Sequence, residues 1–418
     1  MAPRKIAPLA LILMSTAVHA NGQTTHLWIS ERAIEHVEDS ALAELLVQEK
    51  SALRVGTMFP DGGYPMGHEY GEAAHWEPFQ DAYRDWIRQQ YRDLTHPDAA
   101  PHIAFYLGLA SHGMADQVFD SMYMERSRIY DAGYGWADGS TSLDTAHDIV
   151  FAAQTQAQAV PDLWIPEHFP DLFATIGVDV DMDTMRNGQE RLEFAVHGVG
   201  GLSEVEATVA LNVDAFPWAC SHLLDESVPG SPPFEARVVA RYWQHLWAEL
   251  NGVPPVFEVI GSFPADESLG HSRTADDVEA RLSLVFNRGL FHEQVTSDHF
   301  RVETAQSEHA IDLNLFYGDH SHVVNVTPQT DWLINAPHRL VVETSLTASD
   351  GRPLNEAFSI TFSTNIPPAT VDTGSDDSLN AQNKSTRSGC GCATGSVVPH
   401  WSFGFWIGLA AFFRRKSG

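Results

Sequence analysis

Histidine and carboxylate side chains recur in this chain at spacings that suit metal ligation. His112, Asp116 and Asp120 follow one another at four-residue steps in an otherwise largely apolar stretch, so a helix would line them along one stripe. Asp144 and Asp148 repeat the four-residue step. Phe59-Pro60-Asp61 lies in a glycine-rich loop, His75-Trp76 opens a helical stretch, and His26 follows closely behind Asn21. Imidazole and carboxylate suit zinc, and a carboxylate has two oxygens with which to bridge two ions. Such ions bind a phosphate, offset its charge and activate water for attack on phosphorus. The bland alternative is burial without metal, with His26, His75 and His112 satisfied by Asp61 and Asp116. His36, His68, His96 and His102 have no partner at ligand spacing and read as surface or supporting residues. Cys220 reads as a small buried hydrophobe rather than a nucleophile.

The elements that must position these groups change character along the chain. From Asn21 to about Asn251 apolar residues recur at helical spacing, as in Ala33, Ile34, Val37 and again in Val239, Tyr242, Trp243, Leu246, Trp247 and Leu250. Asn251-Gly252-Val253-Pro254-Pro255 ends the last helix, because glycine suits the C-terminal cap and proline cannot continue the ladder. A boundary near Pro254 follows. Beyond it the period becomes two, in Val278, Ala280, Leu282, Leu284 and Phe286 and again in Phe358, Ile360 and Phe362. With the Ser349-Asp350-Gly351 turn, this predicts a small all-β sandwich over residues 254–366.

The ends carry processing signals. Arg4 and Lys5, the apolar run Ile6–Met14 and Val18-His19-Ala20 predict a secretory signal over residues 1–20, with Asn21 as the mature N-terminus. Residues 367–389 are polar and predict a disordered linker. Residues 390–418 hold Cys390-Gly391-Cys392, an apolar run from Trp401 to Phe413 and the basic cluster Arg414-Arg415-Lys416. The body is therefore expected outside the cytoplasm, secreted or at a bacterial cell surface.

With 418 residues, 44% of them hydrophobic and 10% aromatic, the chain is long enough and apolar enough to bury a sizeable core. Its 55 acidic against 25 basic residues give a formal charge of −30, so nucleic acid is not the expected partner. Three cysteines cannot make a disulfide framework.

Thr25-His26, Gly56-Thr-Met-Phe59-Pro60-Asp61, His75-Trp76-x-x-Phe79 and Leu107-Gly108-x-x-x-His112-x-x-x-Asp116 occur in that order within roughly residues 21–150. Jointly they make this region resemble the zinc-dependent phospholipase C family, which includes the N-terminal domain of glycosylphosphatidylinositol-specific phospholipase D. The resemblance implies a multi-domain protein: an all-α phospholipase C/single-strand nuclease-like domain over 21–253, followed by the small β-sandwich. The segments Phe263-Pro264-Ala265, Val326-Thr327-Pro328 and Phe358–Thr364 resemble bacterial Ig-like domains, which act as spacers or binding modules. The tail resembles the sorting tails of bacterial surface proteins, with a permanent membrane anchor as the alternative.

The phospholipase C resemblance also implies a ligand set for two or three zinc ions. Asp61, His75, His112 and Asp116 would form one site. His26 and the freed amine of Asn21 would form another, with Asp116 bridging. Asp120, Asp144 and Asp148 would form the third, where the family has histidines at the places of Asp120 and Asp144. That site is harder and more anionic, and suits Mg, Ca or Mn as well as zinc. His147, which a helix turns about a hundred degrees from Asp148, is a substitute ligand. Asp61 would orient or deprotonate the attacking water, and Tyr64, Trp76 and Phe79 would form an apolar wall for the headgroup. The implied activity is that of a secreted or surface-attached phosphodiesterase hydrolysing phospholipid headgroup esters at a membrane surface. A single-strand nuclease-type phosphodiesterase and a noncatalytic surface binding protein with a degenerate metal site are the alternatives. Oligomeric state is left open.

Overall fold

A 20-residue helix, Ala99–Val118, buried along nearly its whole length, is the axis of the protein. It is apolar on every side, as a helix enclosed by others must be, so the polar groups it does carry, Ser111, His112, Asp116 and Gln117, need partners inside the fold. Among the described residues six further helices pack on it: Gln23–Ile34, Ser40–Gln48, Lys50–Met58, Tyr70–His75, Glu77–Gln90 and Pro232–Leu250. The computed structural model describes residues 21–138, 142–156, 163–334 and 336–364. The expected signal segment, linker and C-terminal tail lie outside them. Among the described residues no helix is long and apolar enough to cross a membrane.

The helical core is filled by large side chains. Phe59, Phe79, Phe105, Phe169 and Phe173 interlock, and the Trp243 indole N–H donates to the Leu107 carbonyl at 2.7 Å, which satisfies its one polar atom in the interior. Phe79 belongs to this core. Its ring is fully buried and stacked on Phe173 at 3.8 Å, so the headgroup wall expected of it is corrected: only Tyr64 and Trp76 of that trio reach the surface. The last helix stops where Gly252 takes a φ of 78°, with the Gly252 N–H on Glu249 O and the Val253 N–H on Ala248 O, each at 3.0 Å. These bonds satisfy the terminal carbonyls, and Pro254 and Pro255 prevent any continuation.

Nine strands follow among the described residues: β1 (Val259–Phe263), β2 (Ser268–Leu269), β3 (Leu282–Leu290), β4 (Phe300–Glu303), β5 (Glu308–His309), β6 (Ile311–Leu315), β7 (Ser321–Pro328), β8 (Pro337–Val342) and β9 (Phe358–Ser363). One sheet has the order β1-β3-β7-β6 and the other β2-β9-β8-β4-β5. All pairings are antiparallel except β2 with β9. Leu284, Phe286, Val324 and Val326 of the first sheet meet Val302, Leu340, Ile360 and Phe362 of the second in one apolar layer. The alternation read from Val278 onward begins later than expected. Asp277 caps a 3-10 turn over Val278–Ala280 by accepting the Glu279 N–H at 3.0 Å, and extended structure starts at Leu282.

The two regions belong to a single compact unit. Strand β3 is buried at every residue, which requires cover on both faces. One face looks into the sandwich, while Ile260, Val285 and Val323 join the helical core. Charge fixes the seam. Glu77, at the start of its helix and 3% exposed, accepts the Gly289 N–H at 2.9 Å and pairs with Arg288 at 3.2 Å. Buried Arg126 donates to both carboxylate oxygens of Glu279 at 2.9 and 3.1 Å.

Candidate metal centre

Four donor atoms lie together: two from the central helix, one from the helix Tyr70–His75 and one from the 3-10 turn Pro60–Met66. His75 Nε2 lies 3.4 Å from Asp61 Oδ1 and 3.4 Å from Asp116 Oδ2. His112 Nε2 lies at the same 3.4 Å from the same two oxygens. Four imidazole–carboxylate separations are thus 3.4 Å, the spacing expected of neighbouring ligand atoms that each sit about 2.1 Å from a shared divalent ion.

The imidazoles are aimed by the backbone. His75 Nδ1 is 2.7 Å from the Gly71 carbonyl and His112 Nδ1 is 2.7 Å from the Thr57 carbonyl. A carbonyl only accepts, so each Nδ1 carries a hydrogen and each Nε2 is the ring atom turned toward the centre, the one that would ligate an ion. Both Nε2 atoms are buried without a hydrogen-bond partner, which is costly for a polar atom unless a cation receives the lone pair. The donor set therefore fits a metal ion.

Asp116 faces two ways. While Oδ2 belongs to the four-donor group, Oδ1 lies 2.8 Å from His26 Nε2. The rings of His26 and His112 stack at 3.8 Å. Among the described residues two groupings could thus hold an ion: Asp61, His75 and His112, and His26, His112 and Asp116. Burial would lower His75, but Asp116 and Asp61 raise it to about 10, so without an ion a proton takes the place between the carboxylates. Burial alone would raise Asp61 and Asp116, but the neighbouring histidines hold both carboxyls well below their usual range. Burial and the proximity of His112 lower His26.

The other sequence-derived candidates are placed differently. Asp120 is buried in a π-helical turn, Phe119–Met124, that follows the central helix directly. Burial pushes its carboxyl up, against a hydrogen bond from the Tyr317 hydroxyl. Asp144 is half-buried and acts electrostatically on Asp120. Asp148 faces the start of the first helix, where Oδ1 accepts the Thr25 N–H at 2.8 Å and Oδ2 the Thr24 N–H at 3.2 Å. It caps that helix, as a carboxylate at a positive helix end should. Gly22 permits the approach, since a Cβ there would come within 2.3 Å of the Asp148 carboxyl carbon. Burial raises Asp148 to about 6. His147 is fully buried and lowered to about 3 by burial, with Nδ1 3.5 Å from the Thr25 hydroxyl. Asn21 is also buried, its amide donating to Glu235 at 2.8 Å.

Three contributors were missed. Gln23 donates to Asp61 Oδ2, so both oxygens of that carboxylate are engaged. Glu235 is fully buried, and burial raises it with Asp116 and Asp120 adding to the effect. The signal was an acid four residues before Val239, on the apolar stripe of the last helix. Tyr317 comes from the β-region, and nothing in the local pattern around it distinguishes it.

No protein-family model matches this chain. It is 31% identical over 135 residues to phosphatidylinositol-glycan-specific phospholipase D of Rattus norvegicus, a match covering 30% of this chain and 16% of the relative. The protein of the same name from Bos taurus is 34% identical over 115 residues, covering 25% and 14%. That from Homo sapiens is 30% identical over 146 residues, covering 32% and 17%. The chain thus matches less than a fifth of the length of these relatives. The S-layer protein rSbsC aligns over 78% of this chain and 46% of its own at 11% identity, with a TM-score of 0.22, too low to define a shared fold.

Proposed function

We propose that this protein is a zinc-dependent phosphoric diester hydrolase of the phospholipase C type, acting on phospholipid headgroup esters outside the cytoplasm. The observation that supports it most is the four-donor group with 3.4 Å edges, linked to His26 through the second oxygen of Asp116. Asp61, His75, His112 and Asp116 would hold one ion, and His26 with Asp116 would contribute to a second. When bound, such ions supply Lewis acidity toward a phosphoryl group and toward water. The partial similarity to phosphatidylinositol-glycan-specific phospholipases D supports a phospholipid as the substrate.

The residues around the donors set what the chain itself contributes. Gly71 and Thr57 hold the imidazoles in one tautomer. Trp76 and Tyr64 share Glu72 as hydrogen-bond acceptor, at 2.7 and 3.0 Å, and place partly exposed aromatic surface beside His75 that suits an amphiphilic headgroup. A general-base role for Asp61 requires its Oδ2 to leave Gln23.

The test is turnover by full-length protein, stripped of metal and then reconstituted with zinc, on phosphatidylcholine and phosphatidylinositol vesicles, with single-stranded DNA alongside. Release of phosphorylated headgroup that disappears on chelation supports the reading. Activity confined to DNA selects the nuclease alternative, and inertness on all three substrates overturns phosphodiester hydrolysis.

A further inference from the structure

We propose that the β-region is part of the site rather than a spacer, and that Tyr317 is a positioning residue which turns Asp120 toward a bound cation. The inference rests on the metal-dependent reading above. Tyr317 sits between β6 and β7, and its hydroxyl donates to Asp120 Oδ2. The Asp120 side chain is buried, and Oδ1 has no hydrogen-bond partner. The phenol therefore fixes one oxygen of a buried carboxylate and leaves the other for an electrophile. Asp116, with one oxygen toward His26 and the other toward His75 and His112, is four residues earlier and acts electrostatically on Asp120.

The position of the phenol is set by contacts on both sides of Asp120. Gln117 Oε1 accepts the His322 N–H at 2.7 Å and the Ser321 hydroxyl at 3.2 Å. Asn325 donates its side-chain amide to the Ser121 carbonyl at 3.3 Å. All five of these residues are buried. Residues 117, 120 and 121 of one helical stretch thus each hold a residue of the β6–β7 hairpin. The Tyr317 ring lies edge-on to Trp76 at 5.8 Å and remains 42% exposed, so the hairpin continues the aromatic surface beside His75. A hydrogen bond that orients a ligating carboxylate is worth about 10- to 100-fold in metal affinity.

The experiment titrates Zn2+, and separately Mn2+, into metal-stripped full-length protein against a chromophoric chelator. Wild type, Tyr317→Phe, Asp120→Asn and the double variant are compared, with thermal melting of each stripped form. Tyr317→Phe keeps the ring and its contact with Trp76. It is expected to weaken one ion by about 10-fold or more, leave the others unchanged and lower the melting temperature of the stripped protein only by what the loss of one hydrogen bond to a buried carboxylate costs. In the Asp120→Asn background the same change is expected to have no further effect, which separates action through Asp120 from a general loss of packing. Wild-type affinities in Tyr317→Phe, or additive losses in the double variant, overturn the inference, as does a wild type that binds no divalent ion. A protein that shows the Tyr317-dependent ion yet is inert on phosphodiesters supports the inference and overturns the functional reading. An active enzyme with unchanged affinities in Tyr317→Phe does the reverse.

Discussion

The backbone carbonyl of His75 occupies the space that a side chain at Gly113 would need: a Cβ on residue 113 would come within 2.3 Å of that oxygen. Two candidate ligands, His75 and His112, are thereby held together by the missing side chain of the residue next to one of them. In an exposed helix, glycine to alanine stabilises by about 1 kcal/mol. Here the clash is with backbone, so Gly113→Ala is expected to cost about 1–3 kcal/mol and to weaken metal binding by moving His75. Gly201, on a helix with open space around it, is the control. Gly201→Ala should raise the melting temperature slightly while Gly113→Ala lowers it, and equal effects at the two positions would refute the assignment.

Asp116 should dominate the metal chemistry. Because its two oxygens face different groups of histidines, Asp116→Asn removes charge and a good oxygen donor from both at once. Metal analysis of the purified variants should show a larger loss of bound ion for Asp116→Asn than for Asp120→Asn. Wild-type metal content in Asp116→Asn would exclude the cluster.

Removal of metal should also be felt as stability. An ion that binds the folded chain at about a thousand times its dissociation constant adds about 4 kcal/mol. A chelator is therefore expected to lower the melting temperature of the wild type by several degrees and to leave His112→Ala, already short of one ion, less affected. Melting curves of both proteins with and without chelator make the comparison, and identical shifts would count against His112 as a ligand.

Glu77 gives a pH signature at the seam between the regions. Burial alone would raise its carboxyl, but His320, His322, Arg288 and the Gly289 N–H bring it down to about 2, from an ordinary value of 4.5. A folded-state value below the unfolded one means that the unfolded chain binds more protons, so this stability is fully present above about pH 4.5 and is lost as pH falls toward about 2. Glu77→Gln should cost about 2 kcal/mol at neutral pH and flatten the acid limb of the stability curve. Denaturant unfolding at a series of pH values measures both.

The five residues His26, Asp61, His75, His112 and Asp116 were legible in the sequence because their types and order are local properties of short segments. The switch from helical period to alternation near Pro254 was legible for the same reason, since the Gly252 cap and the following prolines act within a few residues. What escaped depends on tertiary arrangement. Asp148 has the spacing of a ligand, but the approach of the first helix across Gly22 turns it into a cap. Phe79 shares the motif with Trp76, yet Trp76 stays at the extended N-cap while Phe79, three residues on in the helix, faces Phe173 in the core. Tyr317 lies 197 residues from Asp120, and no periodicity in either segment could pair them.

The double burial of β3 bears on how the protein can be taken apart. A cut between Pro254 and Pro255 divides the chain at its clearest local boundary. The helical fragment would then expose the apolar surface that Ile260, Val285 and Val323 cover, and would leave Arg126 without the carboxylate of Glu279. Severed halves should aggregate rather than behave as free modules, and expression trials should keep residues 21–364 intact. Inheritance follows the same logic. A recombination event at that proline pair would carry away Tyr317 together with the sandwich and leave Asp120 without the phenol that holds it.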